Sequence, residues 1–218
     1  MMSQFIHTEA DLRAALTQLI ALDARLATAH AFAGPPPLRR RPDGFAGLAS
    51  IVVAQQVSTA SAAAIWARLV AALDPLDHAA MLRTRTPKLK RVGLSAAKIK
   101  TLKGIARAIE DGVLDLPALA ELPADAAHAV LTAVHGIGPW TADVYLLFCL
   151  GHADAWPAGD VALQEAARLA LALDMRPTAK EMGPLAEPWR PWRGVAACLL
   201  WTYYRAAKGR SGAPVNPT

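Results

Sequence analysis

The chain has only two cysteines in 218 residues. That excludes a disulfide framework and a four-cysteine site such as an iron–sulfur cluster. It also lacks a long hydrophobic run. Although 54% of its residues are hydrophobic, no apolar stretch approaches the about twenty residues needed to span a bilayer, so no membrane partner is expected. The opening residues, Met1 to Leu16, lack the basic-then-apolar order of a secretory signal, and the expected compartment is cytoplasmic. Strand patterns and internal repeats are absent too. What remains is an Ala- and Leu-rich, all-α chain, long enough to bury a substantial core as one large domain or two small ones.

Net charge is a mild +5, but it is unevenly spread. Arg83, Arg85, Lys88, Lys90, Arg91, Lys98, Lys100 and Lys103 form a run with no acidic residue, while the rest of the chain carries 15 basic and 18 acidic residues. Such a run reads either as a solvated helix face or as a polyanion footprint, and solvated faces normally mix signs. Arg39, Arg40 and Arg41 form a second, weaker basic spot.

Helix signals are frequent. Thr8 caps a helix of about twenty residues that ends near Phe32, with Leu12, Leu16, Leu19, Leu22 and Leu26 on one face. A Pro- and Gly-rich segment from Gly34 to Gly44 breaks the pattern. Helices are then predicted from Phe45 to Gln56 and from Ser58 to Leu73, with further starts at Thr86, Ser95, Pro117, Pro123, Asp160, Thr178 and Pro191. The one that starts at Asp160 is expected to reach about Asp174 and the last about Lys208, leaving a frayed tail from Gly209 to Thr218. Six of the 13 aromatics are Trp, and five of them, Trp140, Trp156, Trp189, Trp192 and Trp201, follow residue 139. They read as core packing or as the lining of a cleft.

The most informative stretch runs from Leu131 to Leu163. One apolar helix ends near Val134 and another starts at Trp140, with only His135, Gly136, Ile137, Gly138 and Pro139 between them. That is a helix-hairpin-helix. Gly136 and Gly138 are expected in backbone conformations that side chains disfavour, Ile137 to anchor the turn, and Pro139 to open the second helix. Free amides in such a turn can hold a phosphate without reading a base. As a bare Gly-rich turn it would signify little, but Trp156-Pro157-Ala158-Gly159-Asp160 follows, and its Asp opens the next helix as an N-cap.

The order of hairpin, helix, Gly/Pro loop and Asp resembles the helix-hairpin-helix (HhH-GPD) DNA glycosylase superfamily. Ala54-Gln55-Gln56-Val57-Ser58 resembles the turn signature of its alkyl-base branch, the DNA-3-methyladenine glycosylase II type. Arg190-Pro191-Trp192-Arg193 with Trp201 downstream resembles its last helix. The resemblance implies two helical subdomains flanking a cleft. One is a barrel over residues 45–150 that contains the hairpin (131–145), and the other joins 1–44 to 151–218, without the extra N-terminal domain of some bacterial relatives. It implies Asp160 as the catalytic carboxylate and Trp140, Val144, Tyr145 and Trp201 around the base. DNA contacts are implied at Gln55, Gln56, Ser58, His135, Gly136, Ile137, Gly138, Trp140 and Thr141, with Gln56 filling the gap left by an extruded nucleotide. No cofactor is required. A monovalent cation, Na+ or K+, would sit on the main-chain carbonyls of Thr132, Val134 and Gly136. The partner would be damaged double-stranded DNA, met by a monomer.

An alkylated purine such as 3-methyladenine or 7-methylguanine carries positive charge, so its N-glycosidic bond is weak and one carboxylate suffices to stabilise the oxocarbenium-like sugar. The lyase branch of the superfamily carries a Lys two residues after the second hairpin glycine, where this chain has Trp140, so hydrolysis without a Schiff base is expected. The rival readings are a glycosylase for another lesion class and a non-catalytic helix-hairpin-helix module that binds DNA by its phosphates alone.

Overall fold

The computed structural model describes residues 5–209 and Gly212. The fold is all-α: the described residues contain no strand, only an isolated antiparallel bridge between Phe5 and His152. Two units divide the chain. Among the described residues, one holds those from Phe5 to Arg40 and those from Leu146 to Gly212, the other Arg41–Tyr145. The borders implied by the resemblance lie after residues 44 and 150.

The single N-terminal helix expected from the leucine spacing is two helices, α1 (Glu9–Leu22) and α2 (Ala24–Ala33). Asp23 between them is in an extended conformation, and its carboxylate accepts the Arg25 N–H as the N-cap of α2. Leu12, Leu16 and Leu19 are buried before the break and Leu26 after it, but Leu22, expected on the same face, is 52% exposed at the end of α1.

The second unit runs α3 (Gly44–Ala54), α4 (Thr59–Ala72), α5 (His78–Arg83), α6 (Thr86–Arg91), α7 (Ala96–Glu110), α8 (Ala124–Ala133) and α9 (Pro139–Tyr145), with a short 3-10 turn at Pro117–Glu121. Helix α5, capped by Asp77, was not expected. Its six residues are too few to show a periodicity. Helix α3 is buried on nearly every side, from Phe45 to Val53, as befits a central helix. Helices α4, α7 and α9 pack on it, α5 and α6 pack on α7, and α8 packs on α9.

In the first unit a wide helical turn, Leu146–Leu150, precedes a loop, then α10 (Val161–Ala170), α11 (Ala179–Ala186) and α12 (Arg193–Lys208). Helix α12 is the centre, with α1, α2 and α10 against it. It starts at Arg193 rather than Pro191, and α10 stops at Ala170 rather than near Asp174, because Ala172 takes a left-handed φ of 53°. Most of the tail expected to fray lies outside the described residues. No helix among the described residues is long and apolar enough to cross a membrane.

The basic segments are partly turned inward. Lys98 is half-buried and donates to the Val53 carbonyl at 2.7 Å, whereas Lys88 stays exposed while donating to the Ala72 carbonyl at 2.8 Å. Burial pushes the Lys98 amine below its usual range. Of the second spot, Arg40 donates to the Cys149 carbonyl and Arg41 is buried.

Candidate active-site elements

The hairpin of the second unit joins α8 to α9 through His135–Gly138. Gly136 has φ 94°, a conformation that favours glycine, and a Cβ there would lie a tight 3.1 Å from Thr101 Cγ2 on α7. Gly138 differs from the expectation: its φ is ordinary and a Cβ would meet nothing within 4 Å. Ile137 is buried as an anchor, while His135, Gly136 and Gly138 are exposed. The Ile137 N–H closes the turn onto the Val134 carbonyl at 3.0 Å, whereas those of Gly136 and Gly138 have no acceptor among the described residues. Two amides thus remain for an anion.

Trp140 is half-buried in the first turn of α9, and the residues after it go inward. Tyr145 was expected beside the base, but it is 0% exposed and its hydroxyl accepts the Gly44 N–H at 3.1 Å. It supplies the cap that the Asp43 side chain does not give to α3. Val144 is buried too. Thr141 is 4% exposed and its hydroxyl accepts an amide N–H of Gln55 at 2.8 Å. Gln55 is the residue after the last turn of α3. Gln56 follows with φ 55°, a left-handed conformation unusual for a non-glycine residue, and is exposed. Ser58 caps α4 through the Ser61 N–H.

In the first unit, Asp160 caps α10. Its Oδ1 accepts the Leu163 N–H at 2.8 Å and the Trp201 indole N–H at 3.2 Å. The loop before it is fixed from several sides. Asp154 receives Arg193 through both guanidinium arms, at 2.9 and 2.8 Å, and Arg190 at 2.7 Å. The Gly194 N–H donates to the Ala153 carbonyl. The Trp156 indole donates to the Met182 carbonyl, and the Gln164 amide to that of Ala158. The two arginines of the Arg190–Arg193 segment therefore hold the loop that ends in Asp160.

The tryptophans divide accordingly. Trp156 and Trp189 pack edge to face, and Trp189 donates to Asp23, so both belong to the core, as does buried Trp192. Trp201 is only 2% exposed. Its ring stacks on Phe148 at 5.8 Å, and Gly212 lies against its edge. Sequence reading missed Phe148, Thr101 and Gln164. Only Phe148 left a signal, since it lies two helical turns beyond Trp140 in an apolar run.

A profile of the HhH-GPD superfamily base excision DNA repair proteins matches residues 49–191, from within α3 to just before α12. The chain belongs to this superfamily. A DNA-3-methyladenine glycosylase of Bacillus subtilis is 28% identical over 172 residues, covering 73% of this chain and 57% of its own length. DNA-3-methyladenine glycosylase 1 of Schizosaccharomyces pombe is 33% identical over 130 residues, covering 59% and 56%. The chain thus spans little more than half of these curated superfamily members. A crystal structure of a DNA-3-methyladenine glycosidase from Bacillus halodurans superposes with TM-score 0.79 and 29% identity, covering 89% of this chain and 90% of that one.

Proposed function

We propose that the protein removes alkylated bases from duplex DNA by hydrolysing the N-glycosidic bond, leaving an abasic site and an intact strand. The observation that carries this reading is Asp160, a loop carboxylate held by the Leu163 amide and the Trp201 indole, at the position to which the resemblance in sequence assigns the aspartate. The names of the similar glycosylases support the substrate class.

Each unit contributes a separate task. In the second, the free Gly136 and Gly138 amides take a backbone phosphate and Gln56 enters the duplex as the target nucleotide leaves it. The exposed part of the Trp140 ring offers stacking and cation–π attraction to a cationic base, worth about 0.5 to 2 kcal/mol. In the first, Asp160 stabilises the sugar as the C1′–N bond breaks and its electron pair leaves with the base, neutralising the base's charge. A water oxygen then bonds to C1′, and its proton is given up to the carboxylate or to solvent. No amine stands at Trp140, so the sugar is not captured as an imine.

The hairpin fits a monovalent cation. Among the described residues the carbonyls of Thr132 and Gly136 accept no backbone N–H, and that of Val134 accepts only Ile137. A bound Na+ or K+ would add positive charge against the phosphate. Incubation with alkylated duplex DNA and mass spectrometry of the released bases tests the proposal. Methylated purines should be released with the strand unbroken, and borohydride should trap no protein–DNA adduct. Release of no base, or a lysine-dependent adduct, would contradict it.

A further inference from the structure

Gln55 and Thr141 are 86 residues apart in sequence, yet the Gln55 amide donates to the Thr141 hydroxyl at 2.8 Å within the second unit. The bond joins the end of α3 to α9, the helix that leaves the hairpin, and Thr141 is buried there. The residue after Gln55 is the exposed Gln56 at φ 55°. A left-handed glutamine persists only where its neighbours impose the conformation. They do so on both sides: Lys98 holds the Val53 carbonyl in the last turn of α3, and Ser58 starts α4 immediately after the turn. On the proposed glycosylase reading, Gln56 must enter the duplex at a fixed offset from the phosphate held by the hairpin.

We infer that the Gln55–Thr141 hydrogen bond sets that offset, making Gln55 and Thr141 positioning residues for insertion of Gln56 rather than contacts to DNA. A phosphate on the hairpin then fixes where the turn meets the base stack. The bond governs extrusion of a paired base and has no part in cleaving a base that is already unpaired.

The test is single-turnover base release from two duplexes. One carries the methylated purine in a base pair, and the other carries it opposite an abasic site, where no pair must be broken. Thr141→Val and Gln55→Leu should each slow release from the paired duplex about tenfold, the loss expected from one buried hydrogen bond. The double variant should be no slower than either single. Release opposite the abasic site should stay within about twofold of wild type, and Thr141→Ser should restore the paired rate. A 2-aminopurine placed beside the lesion should brighten on binding wild type and much less on binding the variants, whether or not cleavage follows. Equal slowing on both duplexes, or none on either, would overturn the positioning role while wild-type release still upheld the glycosylase reading. A wild-type protein that neither releases base nor brightens the probe would overturn both.

Discussion

The indole N–H of Trp201 reaches Asp160 Oδ1 at 3.2 Å, and the same oxygen accepts the Leu163 N–H at 2.8 Å. Trp201 thus orients the carboxylate, with its face against Phe148 and only 2% of its surface exposed. Trp201→Phe keeps most of the ring and removes the donor. Base release should fall about tenfold while duplex binding stays within a few-fold. An unchanged release rate in the folded variant would show that the indole does not orient Asp160.

The two hairpin glycines should respond differently. Gly136→Ala forces φ 94° on an alanine and brings its Cβ to 3.1 Å from Thr101, so it should destabilise the fold by about 1–2 kcal/mol. Gly138→Ala meets no steric obstacle, so its melting temperature should match wild type. Its methyl beside the proposed phosphate-binding amide should weaken binding to damaged and undamaged duplex alike, with preference among lesions unchanged. Loss of lesion preference at unchanged affinity would mean that the hairpin is not the phosphate anchor.

Gly194 lets α12 approach the loop that leads to Asp160. A Cβ there would fall 2.8 Å from the Ala153 carbonyl oxygen and 3.0 Å from that of Ala155. Neither oxygen can swing aside as a side chain would. Gly194→Ala should cost about 1–3 kcal/mol in denaturant unfolding and slow base release beyond what the residual folded fraction explains. A melt and rate equal to wild type would show that the loop is not so constrained.

The Arg25 guanidinium, with help from the Trp189 indole and the Arg25 amide, holds the Asp23 carboxyl down to about 2 from its ordinary 3.8. A depressed folded-state value stabilises the protein above the unfolded value and is lost as pH falls through the folded one. The contribution should therefore be complete above about pH 4 and gone near pH 2, and after solvent screening it amounts to about 1 kcal/mol. Asp23→Asn still caps α2 but lacks this term, so its unfolding free energy should lie below wild type at pH 7 and approach it at acid pH. A gap that stays constant with pH would refute the linkage.

The all-α fold was legible because leucine and alanine spacing repeats at helical period. The hairpin and Asp160 were legible because Gly136, Pro139 and the Asp160 cap are local backbone requirements. What sequence could not disclose is where side chains spend their polar atoms across the fold. Asp23 interrupts the run of spaced leucines, and its carboxylate serves α2, Arg25 and Trp189 together. Tyr145 looks like a pocket wall one turn beyond Trp140, yet its hydroxyl is committed to Gly44. Lys98 belongs to the basic run by sequence and to the α3 carbonyl end by structure. Such pairings depend on long-range packing, which residue spacing along one segment does not encode.

The central claim, that Asp160 is the carboxylate that enables base release, is tested most directly by single-turnover excision from methylated duplex by Asp160→Asn. Asparagine caps a helix about as well as aspartate, so the melting temperature and damaged-DNA affinity should stay close to wild type. Base release should fall to the uncatalysed background. A folded Asp160→Asn protein that releases methylated purines near the wild-type rate would contradict the account.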